Sequence, residues 1–326
     1  MCERFTKLLL SATKLLACQE QIENFFDKQI LKHSFIHPNG LTLSAFELPG
    51  NPDDCLVIIP GRGEIAHKYA EFLYSLRSLD KRIVILFARG QGASTRLLAD
   101  HERCHIDNFA YFREDIQFLL AKLKIDKYKL LAFSLGSLIS LDLIVKGHHL
   151  PQRAALMAPY VYPYFPLPRP LLGALILTLG ALPITKIAYT PHGQGYKRKP
   201  FLGNDHSHCE IRYKLYHDYY ASHPDLTIGG PTWGFLRQAY LTQSRLLQGD
   251  FKFKIPIMTI LAGHDKVVST KVAYDFFKQH EHDPYGVKIV TIDNAYHDLL
   301  NEADEYRLQS LPQALDFLEN GENNVR

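Results

Sequence analysis

Cysteine is scarce in this chain and poorly placed for structural chemistry. Cys2, Cys18, Cys55, Cys104 and Cys209 are five in number, an odd count at scattered spacing with no CxxC. That argues against a disulfide framework and fits a reducing, cytoplasmic compartment. His206-Ser207-His208-Cys209 gathers ligand-type side chains, but no second cluster completes a site, so no metal is expected. Charge of one sign is also lacking. The formal net charge is only +3, and no long Lys/Arg run occurs, which makes nucleic acid an unexpected partner. An anionic membrane surface remains compatible with so mild a bias. Long hydrophobic runs are missing too. Leu171 to Thr185 is uncharged for fifteen residues, short of the roughly 20 that span a bilayer. It reads as a lid or cap helix with an apolar face. Near the start, Leu15-Leu16-Ala17-Cys18 looks like a lipoprotein cleavage box. Lys7 and Lys14 leave only six residues uninterrupted between them, too few for a signal core. One amphipathic helix within residues 1–30, running through Ile22 and Phe25, is expected instead, either packed on the core or lying on a membrane.

What is present is a rhythm. With 326 residues and 46% hydrophobic content, the chain can bury one large core. His33 to Ile36 and Leu41 to Leu48 alternate around Pro38-Asn39-Gly40 and predict a hairpin. Buried strands are predicted at Cys55–Ile59, Arg82–Phe87, Tyr128–Phe133, Arg153–Ala158, Ile255–Leu261 and Val287–Ile292. Helices are predicted between them at Ala66–Leu79, Asp107–Leu123, from Leu135 to about Gly147 and at Ser269–His280, with a last one at Ala303–Leu318. This alternation means a mostly parallel sheet with helices on both faces and ligands at the carboxyl ends of the strands. The rhythm breaks at Pro159 and resumes near Asp250. The division expected is a core over 1–159, an inserted, largely helical cap over 160–250, and the rest of the core over 251–326. No internal repeat appears, and the tail after Asn320 is polar and expected to fray. The glycine loops fit neither a dinucleotide fingerprint nor a P-loop, and no organic cofactor is expected.

The stretch around Ser134 carries the chemistry. Ala132-Phe133-Ser134-Leu135-Gly136 reads as a strand, a one-residue corner and a helix, with small residues where strand and helix nearly touch. Asp265 and His297 each stand in the loop after a later strand. A serine hydroxyl needs a base, and the base needs an acid to fix its tautomer. Serine, then acid, then histidine is the order in which α/β-hydrolases supply these parts, so catalytic roles are expected for Ser134, Asp265 and His297. His264 diverges from its neighbour Asp265 and is a poor base. Asp293, Asp298 and Glu302 are rival acids, Glu302 reading better as a brace for the histidine loop. His67, His101 and His105 read as loop or surface histidines. The Leu135 and Arg62 amides are the candidates for an oxyanion hole. The Arg62 side chain could meet a phosphate or carboxylate, or pair with Glu64. Tyr160, Trp233 and Leu175 are candidates for contact with an apolar substrate.

With these residues placed, the chain from about Gln21 to about Leu318 resembles the PldB-type lysophospholipases of bacteria, in the monoacylglycerol-lipase-like branch of α/β-hydrolases. The likeness rests on Pro60-Gly61-Arg62 with Lys68-Tyr69-Ala70-Glu71, on Arg89-Gly90-Gln91-Gly92 with Ser94, and on the elbow. Its more specific part is Pro200-Phe201, Asn204, Ser207-His208, Arg212-Tyr213 and Gly229-Gly230-Pro231-Thr232-Trp233. Asp265-Lys266-Val267-Val268 and Ala295-Tyr296-His297-Asp298-Leu299-Leu300 fit the acid and base loops. The chain departs from the family at three places, four residues in all: Phe87-Ala88 replace Asp-His, Phe133 replaces a histidine, and Ser137 replaces a glycine. All three crowd the nucleophile. The resemblance implies a lysophospholipid substrate, with monoacylglycerol hydrolysis or acyl transfer to another lipid as the neighbouring activities. A non-catalytic binding protein on the same fold and a peptidase are the competing readings. Peripheral contact with the inner face of the cytoplasmic membrane is expected, and the sequence does not specify an oligomeric state.

Overall fold

The computed structural model describes residues 3–147, 149–191 and 193–321. The polar tail expected to fray lies, from residue 322, outside them. The strands are β1 (Leu31–Ile36), β2 (Thr42–Leu48), β3 (Asn51–Ile59), β4 (Lys81–Phe87), β5 (Lys129–Phe133), β6 (Ala154–Met157), β7 (Ile257–Ala262) and β8 (Val287–Ile292). They form one sheet in the order β1-β2-β4-β3-β5-β6-β7-β8. The hairpin β1–β2 and the pair β2–β4 are antiparallel, and every other pairing is parallel. Asn39 closes the hairpin turn by accepting from the Leu41 N–H at 3.1 Å, and Ile36 then pairs with Thr42.

The helices are α1 (Glu3–Leu8), α2 (Ala12–Ala17), α3 (Gln19–Gln29), α4 (Ala70–Leu76), α5 (Ala110–Lys122), α6 (Leu135–Lys146), α7 (Arg169–Ala181), α8 (Pro183–Lys186), α9 (Glu210–Ser222), α10 (Trp233–Gln248), α11 (Thr270–Gln279) and α12 (Asp304–Asn320). Successive strand residues point to opposite faces, so each strand feeds two cores. Val57 and Ile59 join the apolar residues of α5, α6, α10 and α11. Leu56 and Ile58 join those of α3, α4 and α12. The helices α7 to α10 all fall between β6 and β7.

Three expectations change. The single N-terminal helix is three short ones. The backbone at its break is bound from outside: the Leu10 carbonyl accepts from Arg212 and Arg307, and the Ala12 N–H donates to Asp304. A continuous helix would need those groups for itself. Phe5, Leu9, Leu15, Ile22, Phe25 and Phe26 are buried against the body, so this arm packs on the core rather than standing free for a membrane. The uncharged run is also divided, because Pro183 cannot continue α7 and opens α8 instead. The helix read over Ala66–Leu79 is a 3-10 turn at Ala66–Tyr69 followed by α4. No helix among the described residues is long and apolar enough to cross a membrane.

Candidate active site

Ser134 stands between β5 and α6 with φ 50° and ψ −112°, a strained conformation for a residue with a side chain. Its surroundings hold it there. The Ser134 N–H donates to the Met157 carbonyl at 3.0 Å, and its own carbonyl accepts from the Ser137 and Tyr160 N–H groups at 3.0 and 3.2 Å. Gly136 lets α6 start in this place. A Cβ there would lie 2.0 Å from the Ile59 carbonyl oxygen and 2.6 Å from that of Pro60. The tight approach is therefore to the end of β3, the neighbouring strand, rather than to β5 itself.

The structure brings Ser134, His297 and Asp265 together. His297 Nε2 lies 2.9 Å from Ser134 Oγ, and its Nδ1 lies 2.6 Å from Asp265 Oδ2. A carboxylate only accepts, so the ring proton sits on Nδ1 and Nε2 is left to accept from the serine hydroxyl. The other Asp265 oxygen accepts from the Val267 and Val268 N–H groups at 2.8 and 2.9 Å, which fixes the carboxylate in the loop after β7. All three side chains are nearly shut from solvent.

The rival residues are occupied elsewhere. His264 and Asp293 are exposed. Glu302 is the brace it was read to be: it accepts from the Tyr296 and Ala303 N–H groups and pairs with His208 at 2.7 Å. Asp298 is buried and faces the Lys68 ammonium at 2.6 Å, and Lys68 also reaches Glu64 at 2.5 Å. Burial alone would lower the Lys68 pKa, but the two carboxylates outweigh it and hold it well above its ordinary value. Burial works against Asp298 as well, and Lys68 keeps its carboxyl below the usual range. His67 lies between Glu23 and Tyr219, and His101 is exposed. His105 is not a surface residue. It is buried and bonded to Thr232 Oγ1 at 2.7 Å, tying the loop after β4 to the start of α10.

The loop after β3 faces the elbow. Glu64 accepts from the Gly61 N–H at 2.6 Å and from the Tyr69 hydroxyl at 2.7 Å, and Gln91 accepts from the Gly63 N–H at 2.9 Å. Between these tethered amides, the Arg62 N–H has no acceptor among the described residues, and neither has the Leu135 N–H at the start of α6. Glu64 is taken by Lys68, so the Arg62 side chain does not pair with it and donates instead to the Gly229 carbonyl at 2.6 Å. Two of the departures from the family pattern, Phe133 and Ser137, are absorbed locally. Phe133 packs beside Gly61 with its ring centre 5.1 Å from that of His297. Ser137 turns its hydroxyl back to the Ala132 carbonyl at 3.0 Å, into the elbow backbone.

The candidate substrate contacts scatter. Tyr160 adjoins the elbow, its carbonyl held by Gln243 at 3.0 Å, and burial pushes its phenol up to about 12. Trp233 is buried in the larger apolar cluster. Leu175 is 40% exposed and shares with Leu171 the accessible side of α7. The His206–Cys209 segment serves the loops. Asn204 Oδ1 accepts from the His206 and Ser207 N–H groups, and the His206 ring centre lies 6.0 Å from that of His297. Arg212, whose role was not legible in the sequence, is buried between Glu71 and Asp304 at 2.8 Å from each.

A sheet of this order, with a serine at the β5 corner and its partners after β7 and β8, defines an α/β-hydrolase. The family model described as serine aminopeptidase, S33, matches residues 50–304, and the chain belongs to that family. The lysophospholipase L2 of Escherichia coli K12 is 29% identical over 272 residues, which is 81% of this chain and 80% of that protein. The likeness to bacterial lysophospholipases expected from the motifs is borne out by this match. Among solved structures, the monoacylglycerol lipase of Paleococcus ferrophilus superposes with a TM-score of 0.66 at 15% identity, covering 85% of this chain and 99% of that one. A soluble variant of the monoglyceride lipase of Saccharomyces cerevisiae, bound to a substrate analogue, gives 0.66 at 14% identity over 88% and 94%. These two establish the fold alone.

Proposed function

We propose that this protein is a serine hydrolase that cleaves the fatty-acyl ester of a single-chain lipid, namely a lysophospholipid. The observation that carries the reading is the unbroken hydrogen-bond chain from Asp265 through His297 to Ser134. Ser134 Oγ attacks the acyl carbonyl while His297 Nε2 takes its proton, and Asp265 stabilises the imidazolium that forms. The Leu135 and Arg62 N–H groups receive the oxyanion. His297 returns the proton to the leaving alcohol, and water releases the fatty acid by the same route. Residues 160–250 act as the cap over this site, with Tyr160 at its edge. The exposed Leu171, Leu175 and Ile184 supply apolar surface for an acyl chain entering from a membrane, which the protein meets peripherally from the cytoplasmic side. Similarity to the Escherichia coli lysophospholipase supports the substrate class.

The family description would also invite a peptide with a free amino terminus. The cavity beside Arg62 and His206 argues against it, because Lys197, Arg198 and Lys199 line that cavity and, among the described residues, no Asp or Glu does. An ammonium group would meet the wrong sign of charge there.

The test is fatty-acid release from lysophosphatidylcholine, lysophosphatidylethanolamine, monoacylglycerol and a short p-nitrophenyl ester. Lysophospholipids should lead, and Ser134→Ala should lower kcat by about 10⁴-fold or more. A wild type that prefers monoacylglycerol sinks the substrate class. A Ser134→Ala variant with appreciable turnover sinks the mechanism.

A further inference from the structure

A cavity of about 380 Å³ opens beside the triad, between the loop after β3 and the segment 193–200. Two of its walls adjoin the site: Arg62, in the loop that packs on Phe133 and Gly136 of the elbow, and His206, whose ring centre lies 6.0 Å from that of His297. The remaining basic wall is not a loose loop. Its base is laced to the segment before α10 by main-chain bonds, Gly230 N–H to the Gln194 carbonyl at 2.8 Å and Thr190 N–H to the Pro231 carbonyl at 3.2 Å. The approach is so close that a Cβ on Gly229 would lie 2.4 Å from the Gln194 carbonyl oxygen.

The charge of this cavity is one-sided. Arg62, Lys197, Arg198 and Lys199 line it, and among the described residues no carboxylate does; the Glu102 carboxylate abuts Gly195 of its wall and accepts from the Thr227 hydroxyl at 2.7 Å. Arg198 is paired outward with Asp218. Lys197, Lys199 and the Arg62 guanidinium have no carboxylate partner among the described residues. His206 and His217 add uncharged imidazoles: burial, with neighbouring cations, lowers them to about 3 and about 4. Unpaired cations around neutral donors, next to a nucleophile, match an anion that remains attached to the reacting ester.

We propose that this cavity is the subsite for the phosphodiester of the substrate, with Lys197, Lys199 and the Arg62 guanidinium receiving its anionic oxygens while the acyl carbonyl reaches Ser134. The inference rests on the lysophospholipid reading above and adds the residues that would select for it. In a lysophospholipid only the glycerol backbone separates the ester from the phosphate. An anion in the cavity and a carbonyl at the elbow, on either side of Arg62, therefore suit one small molecule.

The experiment compares the full-length wild type with the Lys197→Gln/Lys199→Gln variant. Both lysines are exposed, so the variant should keep its fold, checked by its Tm. The substrates are a short-chain lysophosphatidylcholine and the monoacylglycerol of the same acyl chain, both kept monomeric so that no lipid surface contributes. The expected result is a KM for the lysophospholipid raised about fivefold, the scale of losing exposed charge contacts, with kcat and the monoacylglycerol constants unchanged. Added salt should raise the wild-type KM for the lysophospholipid alone. Glycerophosphocholine should inhibit p-nitrophenyl ester hydrolysis by the wild type more strongly than by the variant. If inorganic phosphate competes and glycerophosphocholine does not, the cavity is a free-phosphate site and the headgroup assignment falls. A variant weakened only on anionic vesicles shows that the lysines attract the protein to a surface, which also overturns it. A wild type that cleaves lysophospholipid with a KM indifferent to both lysines removes the subsite and leaves the proposed function standing. A wild type that cleaves monoacylglycerol but no lysophospholipid removes the proposed function first.

Discussion

A few atoms decide whether this site exists. The Cβ of alanine at position 136 would overlap the Ile59 carbonyl, and backbone cannot rotate away as a side chain can. Gly136→Ala should therefore cost about 3 kcal/mol through overpacking, read as a fall in the urea midpoint; an unchanged midpoint would mean that α6 can shift freely. Two histidines set an acid limit. His206 and His217 are held by burial to about 3 and about 4, against an ordinary 6.5. Below about pH 6.5 the unfolded chain binds these protons and the folded one does not, so stability falls as the pH drops through that window. Asp298, held below its ordinary value by Lys68, adds a loss of the same sign at still lower pH. His206→Gln should flatten the dependence of Tm on pH between about 6.5 and 4; a slope equal to wild type would assign the acid loss to other groups. The triad residues were legible because each follows a strand and their order is restrictive. The role of Lys68 was not, because nothing in a linear sequence tells a lysine from residue 68 that it will face Asp298.

Among the elements, the proposed mechanism needs the loop after β3 and the loop after β8 in register, so that an oxyanion and a base serve the same carbonyl. Lys68 joins them, bonded to Glu64 on one side and Asp298 on the other. Lys68→Met would leave two buried carboxylates without their cation and should cost about 3 to 5 kcal/mol. Adding Asp298→Asn to Lys68→Met should recover part of that loss, and strict additivity in the double-mutant cycle would show that the two do not act together. Strands were easier to read than helices here. Their buried runs are continuous and bounded by turn residues, so β4, β5, β6, β7 and β8 fall close to the spans expected, whereas β3 starts four residues early, at Asn51, in an exposed polar stretch that carries no buried run. The helical departures differ in cause: Pro183 divides the uncharged run locally, whereas the break in the N-terminal arm is set from a distance. At Leu10 and Ala12 distant side chains take up main-chain groups that a local pattern assigns to a helix, and periodicity is blind to partners some two or three hundred residues away.

On the scale of the whole molecule, Arg212 gathers distant parts of the chain. It reaches Glu71 in α4, the Leu10 carbonyl, the Glu302 carbonyl and Asp304 at the start of α12. Removing residues 1–30 should therefore damage the body rather than release an anchor. It would uncover the apolar surface that packs against Phe25 and Phe26 and strip Arg212 of one acceptor. The expected outcome is a truncated protein that aggregates or melts well below wild type; a well-behaved truncation lost only from membranes would restore the anchor reading. The packing of the arm thus takes one of the two alternatives the sequence left open, since an amphipathic pattern shows that a face will be covered but not by what. The same knot sets an order of events during synthesis. Phe5, Leu9 and Leu15 leave the ribosome nearly three hundred residues before Asp304, which secures Ala12. Until Asp304 emerges, the segment from Phe5 to Leu15 waits with an apolar face uncovered, and a nascent chain stopped before residue 304 should remain open to proteases there.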